Sequence, residues 1–212
     1  MSKLAEPVAV FVNCPFDPDY RPLFDIMIFT IVRCGFVARC ALEVTDTAET
    51  RISKILRLID DCPIGIHDIS RTEPDKGSGL PRFNMPFELG LFLGIGHAAK
   101  GGKRRKVCLV LDRAPYRYQI FLSDISGQDV SAHSDDPARL CEKVRNFLNA
   151  QKGGPPLPSG AAIMTDYADF RYQLPAIASH LRLDPDDLQF PDYHTIAADF
   201  ISDDIPPQPT SS

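Results

Sequence analysis

The sequence predicts an α/β protein: a parallel sheet with helices on both faces, followed by a small C-terminal helical extension. Three observations carry this expectation. Val8 to Val12 is an unbroken apolar, Val-rich run, which suits a strand buried on both faces. Strand-like runs and helical apolar spacings then alternate as β-α-β-α-β-α-β, with crossovers long enough for parallel pairing. Past Gly153-Gly154-Pro155-Pro156-Leu157-Pro158, a linker by composition, only helical spacings follow.

The first strand runs into Asn13-Cys14-Pro15-Phe16, where Pro15 cannot continue a central ladder. Asp17, Pro18, Asp19 and Pro22 mark a turn and a helix start. Leu23 to Cys34 is apolar nearly all round, as a buried helix is, and Gly35 stops it. Phe36 to Leu42 reads as the second strand. Thr50 or Ser53 opens a helix with Ile52, Ile55, Leu56 and Ile59 on one face, closed by Asp60-Asp61-Cys62-Pro63. Ile64 to Ile69 is the third strand, and Arg71 to Phe83 is a polar loop. Asn84 is expected to cap a helix running to about Ala99, with Pro86 and Phe87 shielding its start from water. Val107 to Leu111 is the fourth strand.

Beyond it, Tyr116 to Val130 holds a short helix or an edge element, and Pro137 to Ala150 is helical. Asp166 to Leu183 has helical spacing in which Pro175 starts a new helix or kinks this one, and His194 to Ile201 is a last short helix. The expected organisation is an α/β domain over 1–152, a Pro/Gly linker over 153–165, a helical extension over 166–202 and a disordered tail over 203–212.

Composition narrows the function classes. A formal net charge of -5 argues against a nucleic-acid partner, because neutralising phosphates needs a positive surface. The basic run Lys100 to Lys106, with Lys103, Arg104 and Arg105, reads as a solvated loop, the alternative being a modest phosphate-facing site. Six cysteines (Cys14, Cys34, Cys40, Cys62, Cys108, Cys141) are scattered through apolar segments without C-x-x-C spacing, and no signal-sequence pattern is read. Reduced thiols in a cytoplasm are therefore expected. No apolar run approaches the ~18 residues of a membrane span. The five histidines are dispersed, so neither a metal nor another cofactor is expected.

In an open parallel sheet, ligands bind beyond the carboxyl ends of the strands. Asn13, Asp17 and nearby Tyr20 follow the first strand, Asp68 and Ser70 end the third, and Asn84 and Glu88 open the next helix. Glu88 shares a helical stripe with Leu91, Phe92 and Ile95, which should pack on the sheet. A charge at the top of such a stripe meets a partner or faces a cleft. Its plainer role is to complement the dipole of a helix start, which would also keep it ionised. Asp68 has an equally plain role as a loop-fixing carboxylate. His67 alternates to the opposite face from Asp68 and reads as a packed core histidine. Gly90, Gly94 and Gly96 lie within a helix and read as close packing, and neither G-x-S-x-G nor a P-loop occurs.

Three segments in order resemble the nucleoside 2-deoxyribosyltransferases. Phe11-Val12-Asn13-Cys14-Pro15-Phe16 is similar to their first strand and loop. Asp60 to Ser70, closing in Asp68-Ile69-Ser70, is similar to their next landmark, and Phe87-Glu88-Leu89-Gly90 resembles the start of their active-site helix. The flavodoxin-like plan is shared with nucleotide-cleaving TIR domains, whose tryptophan before the glutamate is missing here. The chain also resembles uncharacterised bacterial TIR-like proteins with an Asn-Met-Pro-x-Glu-Leu-Gly segment.

The resemblance implies that Glu88 attacks the anomeric carbon of a nucleoside, nucleotide or NAD-like molecule, or stabilises the cation formed there. Asp68 and Ser70 would then serve the sugar or the leaving base, and Asn13, Phe16, Asp17 and Tyr20 would wall the base. Arg82, where the family carries other residues, would meet a phosphate or remain a surface charge. The family's acid before the glutamate stretch is absent, so hydrolysis or simple binding gains over transfer. The alternative is a non-catalytic TIR-like module for nucleotide sensing or protein interaction, including assembly with further copies of itself.

Overall fold

The computed structural model describes residues 7–43, 46–74, 77, 79–99, 106–153 and 155–202. The strands β1 (Ala9–Asn13), β2 (Val37–Cys40), β3 (Ile64–Asp68), β4 (Val107–Asp112) and β5 (Val130–Ala132) form one sheet in the order β2-β1-β3-β4-β5. Every pairing is parallel. The α-helices are α1 (Arg21–Arg33), α2 (Arg51–Asp61), α3 (Asn84–Ala98), α4 (Pro137–Gln151), α5 (Gly160–His180) and α6 (Phe190–Ile201). This is the flavodoxin-like, doubly wound arrangement.

Strand alternation divides the core between the two faces. Val10, Val12, Ile64, Ile66, Leu109 and Leu111 pack with α1, α4, α5 and α6. Phe11 points the other way, against Ile55, Leu58 and Ile59 of α2 and Phe92 of α3. Crossover handedness dictates the split. The chain steps one way along the sheet from β1 to β2 and the other way from β2 to β3 and β4, so right-handed connections put α1 opposite α2 and α3.

Local chemistry ends α1 where the sequence indicates. Gly35, at φ +82°, follows the helix, and its N–H donates to the Val32 carbonyl at 2.8 Å. The next N–H, of Phe36, reaches back to the Ile31 carbonyl at 3.1 Å, completing a Schellman motif. A Cβ is strained in that conformation, so Gly35→Ala should lower stability by about 1 kcal/mol in urea unfolding. Gly65 in β3 answers a different need. A Cβ there would lie 2.7 Å from His67 Nε2 and 2.8 Å from the Phe92 ring, both fully packed side chains. Gly65→Ala should therefore push α3 off the sheet and cost roughly 2 kcal/mol, read as a lower urea midpoint.

The segment Tyr116 to Val130 holds two short 3-10 helices, and its end opens the half-buried edge strand Val130–Ala132, in keeping with the expected short helix or edge element. Several other expectations are corrected. The segment expected as a linker is helical from Gly160, where the Ser159 hydroxyl accepts from the Ala162 N–H at 3.1 Å. Arg145 fixes the turn before it through the Pro158 carbonyl at 2.7 Å, and Leu157 is buried. Pro175 lies inside α5, flanked by buried Phe170, Leu174 and Ile177, whose packing offsets the hydrogen bond it forgoes. α6 starts at Phe190, earlier than His194. Gly90 and Gly94 have open space where a Cβ would stand, so they serve no close packing.

Both C-terminal helices are fastened to α1. Asp25, buried in α1, pairs with Arg21 at 2.6 Å and with Arg171 of α5 at 3.3 Å. The Tyr193 hydroxyl of α6 donates to the Asp25 carbonyl at 3.0 Å. Lys106 is not solvated as the basic run suggested: its ammonium binds the Ile59 and Cys62 carbonyls at the end of α2. The rest of that run, Lys100 to Arg105, lies outside the described residues, as do Gly154 and the tail over 203–212. Among the described residues no helix is long and apolar enough to cross a membrane.

Candidate functional site

β1 and β3 are neighbours whose outgoing connections leave to opposite faces, and their carboxyl ends open a cleft of about 320 Å³. Ligands of open α/β sheets bind at such switch points. The volume lies at the small end of the range for ligand pockets. Of the residues singled out in the sequence, Asn13, Phe16, Asp17, Arg82, Asn84 and Glu88 line it, whereas Tyr20, Asp68 and Ser70 do not.

Glu88 is 4% exposed and makes no hydrogen bond or ion pair among the described residues. α3 opens with Asn84 as its first helical residue and Phe83 as a cap without a side-chain bond. Asn84 is therefore not the cap, and Glu88 falls one place deeper, beyond the unpaired N–H groups of the first turn. Its expected ionisation by the helix start is corrected accordingly. Burial pushes the carboxyl up to about 7, against the pull of the Arg51 guanidinium. Near neutrality such a group is divided between both protonation states. Pro86, third in the helix, sacrifices no intrahelical bond there. Phe87 is 56% exposed and stands outside the cleft, so it shields nothing.

Asn13 is oriented by its surroundings. Its amide nitrogen faces the Met85 carbonyl at 2.9 Å, which can only accept, and His67 Nδ1 at 3.0 Å. Both amide hydrogens are thereby committed, and Oδ1 is the group left to offer a ligand. The same bond makes His67 Nδ1 an acceptor and places the ring proton on Nε2, which is buried without a partner. Burial lowers the His67 pKa to about 3, and the ring packs edge-on to Phe92 with centroids 4.9 Å apart. It is a neutral core side chain.

Asp68 occupies the other face. Alternation along β3 sends Gly65 and His67 toward α3 and sends Asp68, with Ile64 and Ile66, toward α1. There it is fully buried. Its Oδ2 accepts the Tyr20 hydroxyl at 2.5 Å and lies 3.0 Å from His133 Nε2, while Oδ1 accepts the Ser70 N–H at 2.8 Å. His133 Nδ1 accepts the Asp135 N–H at 3.0 Å, which leaves Nε2 to carry the proton toward Asp68. Burial pushes the Asp68 carboxyl up, but His133, Ser70 and Tyr20 outweigh it and hold it below its ordinary value. Asp68 is turned from the cleft and the Tyr20 hydroxyl donates to it, so neither lines the cleft in the way the family resemblance implied. Ser70 is buried beside them.

Four charged residues of the cleft were not among the expected site residues: Asp19, Arg51, Arg71 and Glu73. Arg51 opens α2 directly after the Thr50 cap, and Arg71 and Glu73 come from the loop after β3. The topological rule could have found Arg51, because α2 starts on the side where β2 ends. Arg117 holds the Arg71 loop in place. Its guanidinium binds Asp112 Oδ1 at 2.6 Å, the Ser70 carbonyl at 2.7 Å and the Thr72 hydroxyl at 2.8 Å. Cys14 also borders the cleft, yet burial, and next the nearby Asp68 carboxylate, push its thiol well above the ordinary value. At neutral pH it is therefore a thiol and not a thiolate. Among the described residues no three His, Cys, Asp or Glu side chains converge as a metal site.

No protein-family model matches this chain, and no curated protein matches it in sequence.

Proposed function

We propose that the protein binds a nucleoside or nucleotide in this cleft and hydrolyses its N-glycosidic bond, with Glu88 as the carboxylate beneath the anomeric carbon. The observation that carries the reading is Glu88 itself: a buried carboxyl, free of partners, at the mouth of a switch-point cleft. The likeness of Phe87-Glu88-Leu89-Gly90 to the active-site helix of the deoxyribosyltransferases supports the same role. As the C1′–N bond breaks, its electron pair leaves with the base nitrogen and positive charge develops on the sugar. An ionised Glu88 in a site of low dielectric stabilises that charge or bonds to C1′. Water then delivers hydroxyl to C1′, and its remaining proton replaces the sugar on the base. Asn13 Oδ1 can accept from a sugar hydroxyl or a base amine, and Phe16, set edge-on against Phe24 at 5.6 Å, offers an aromatic surface.

The position of Asp68 favours a second reading. No carboxyl from β3 is available to protonate the leaving base, as a non-catalytic nucleotide sensor would have it. Incubation with NAD, deoxynucleosides and nucleoside monophosphates, followed by chromatography of free base, separates the two. Base release that disappears in Glu88→Gln supports hydrolysis. A ligand-dependent rise in melting temperature without base release supports the sensor.

A further inference from the structure

More guanidinium groups line the cleft than a neutral sugar and base require. Arg51 comes from the start of α2, Arg71 from the loop after β3 and Arg82 from the segment before α3, so three separate stretches of an acidic chain bring guanidinium groups to one hollow. Their partners differ. Arg71 stands a loose 3.7 Å from Asp17. Arg51 and Arg82 have no hydrogen bond or ion pair among the described residues, although four carboxylates line the same cleft. Two of those carboxylates are engaged elsewhere: Glu73 binds Arg113 and Arg117, and Asp17 faces Arg71. Asp19 is exposed, and Glu88 is the buried group already described.

We infer that Arg51 and Arg82 form an anion subsite for the phosphate of a nucleotide, so that the cleft selects phosphorylated nucleosides over free ones. This deepens the proposed function by naming its substrate class and rests on that reading for the position of the sugar. Guanidinium groups match phosphate oxygens through paired N–H donors, and charge-assisted bonds of this kind are about twice as strong as neutral ones. A free nucleoside would leave both cations in water and gain nothing from them. The arrangement also places positive charge on the ligand side of Glu88, where Arg51 already favours its ionised form.

The test is binding, kept apart from turnover. Each common nucleoside monophosphate is titrated against its parent nucleoside by calorimetry at low salt, with ribose 5-phosphate against ribose as the base-free pair. The wild type, Arg82→Ala and Arg51→Ala/Arg82→Ala are compared. Both positions are exposed, and the melting temperature without ligand checks the fold of each variant. At least one phosphorylated member should bind the wild type roughly tenfold or more tightly than its parent, and the double variant should lose that preference while parent affinity stays constant. Equal binding of every pair by the wild type, or a preference that survives in the double variant, overturns the subsite. Running the titrations on Glu88→Gln as well keeps the conclusions separate: phosphate preference without base release in the wild type sinks hydrolysis and leaves the subsite standing, and base release without the preference does the reverse.

Discussion

Glu88→Gln should cut base release by at least roughly a thousandfold, equivalent to about 4 kcal/mol of lost transition-state stabilisation. The replacement keeps the shape of the side chain and removes only the charge. Since Glu88 makes no hydrogen bond that the amide could disturb, the fold should be untouched. The same variant gives a reading independent of catalysis. Burial raises the Glu88 pKa to about 7 from an ordinary 4.5, so the native protein holds this proton more tightly than the unfolded chain does. Native stability therefore falls as pH rises from about 4.5 through about 7. Glu88→Gln carries no such charge, and its melting temperature should exceed that of the wild type at pH 8 and approach it only below about pH 4.5, where Glu88 is protonated in both states. A variant no more stable than wild type at pH 8 would mean that the carboxyl is better solvated than its burial indicates.

The ionisation also sets the pH profile of activity. If the carboxylate is the working form, kcat/KM rises with pH through a midpoint at about 7 and levels only at higher pH, where Glu88 is almost wholly ionised. Arg51→Ala removes a cation whose pull opposes the effect of burial, so the midpoint of that rise should move to higher pH. A profile that falls through the same range instead assigns Glu88 to proton donation.

The sheet was legible because its strands are short apolar runs between helices of clear periodicity, and Val8 to Val12 or Val107 to Leu111 admit no other fate in an α/β chain. The cleft was legible as far as the strand-end rule reaches, which is why Asn13, Asp17 and Glu88 meet in it. What the pattern lacked was the face. Whether Asp68 or His67 points toward Glu88 depends on which side of the sheet α3 takes, and that follows from strand order, a long-range property with no local signal. Arg51 and Arg71 were hidden for a related reason: a charged residue beside a cap or in a polar loop looks like any solvated one until the sheet fixes where that loop ends. Pro155 and Pro156 do mark the break between α4 and α5; what composition could not show is that Arg145 pins this turn and that helix resumes at Gly160.

Asp68→Ala should destabilise the protein by about 3–5 kcal/mol, the usual consequence of removing one member of a buried charged network. Three groups lose their partner at once: the Tyr20 hydroxyl ahead of α1, His133 Nε2 after β5, and the Ser70 N–H at the end of β3. All are buried, so water cannot replace the carboxylate without opening the structure. Against a typical total of about 5–15 kcal/mol, the variant would sit near the edge of folding, with a melting temperature lower by roughly 10 °C. The depressed Asp68 pKa fixes the pH window of this contribution. It is fully present above the ordinary carboxylate range and disappears as pH falls through the lower folded value, so wild type and variant should converge in strong acid. Asp68→Asn keeps one acceptor oxygen and nearly the same volume, and should fold with a smaller loss. That variant also separates structure from chemistry. An Asp68 that only braces the strand ends leaves base release per folded molecule within about fivefold of wild type, whereas a proton donor to the leaving base would cost the 10²–10⁴-fold typical of general acids. A loss of that size at full folding would return Asp68 to the reaction and require β3 to present it to the opposite side of the sheet.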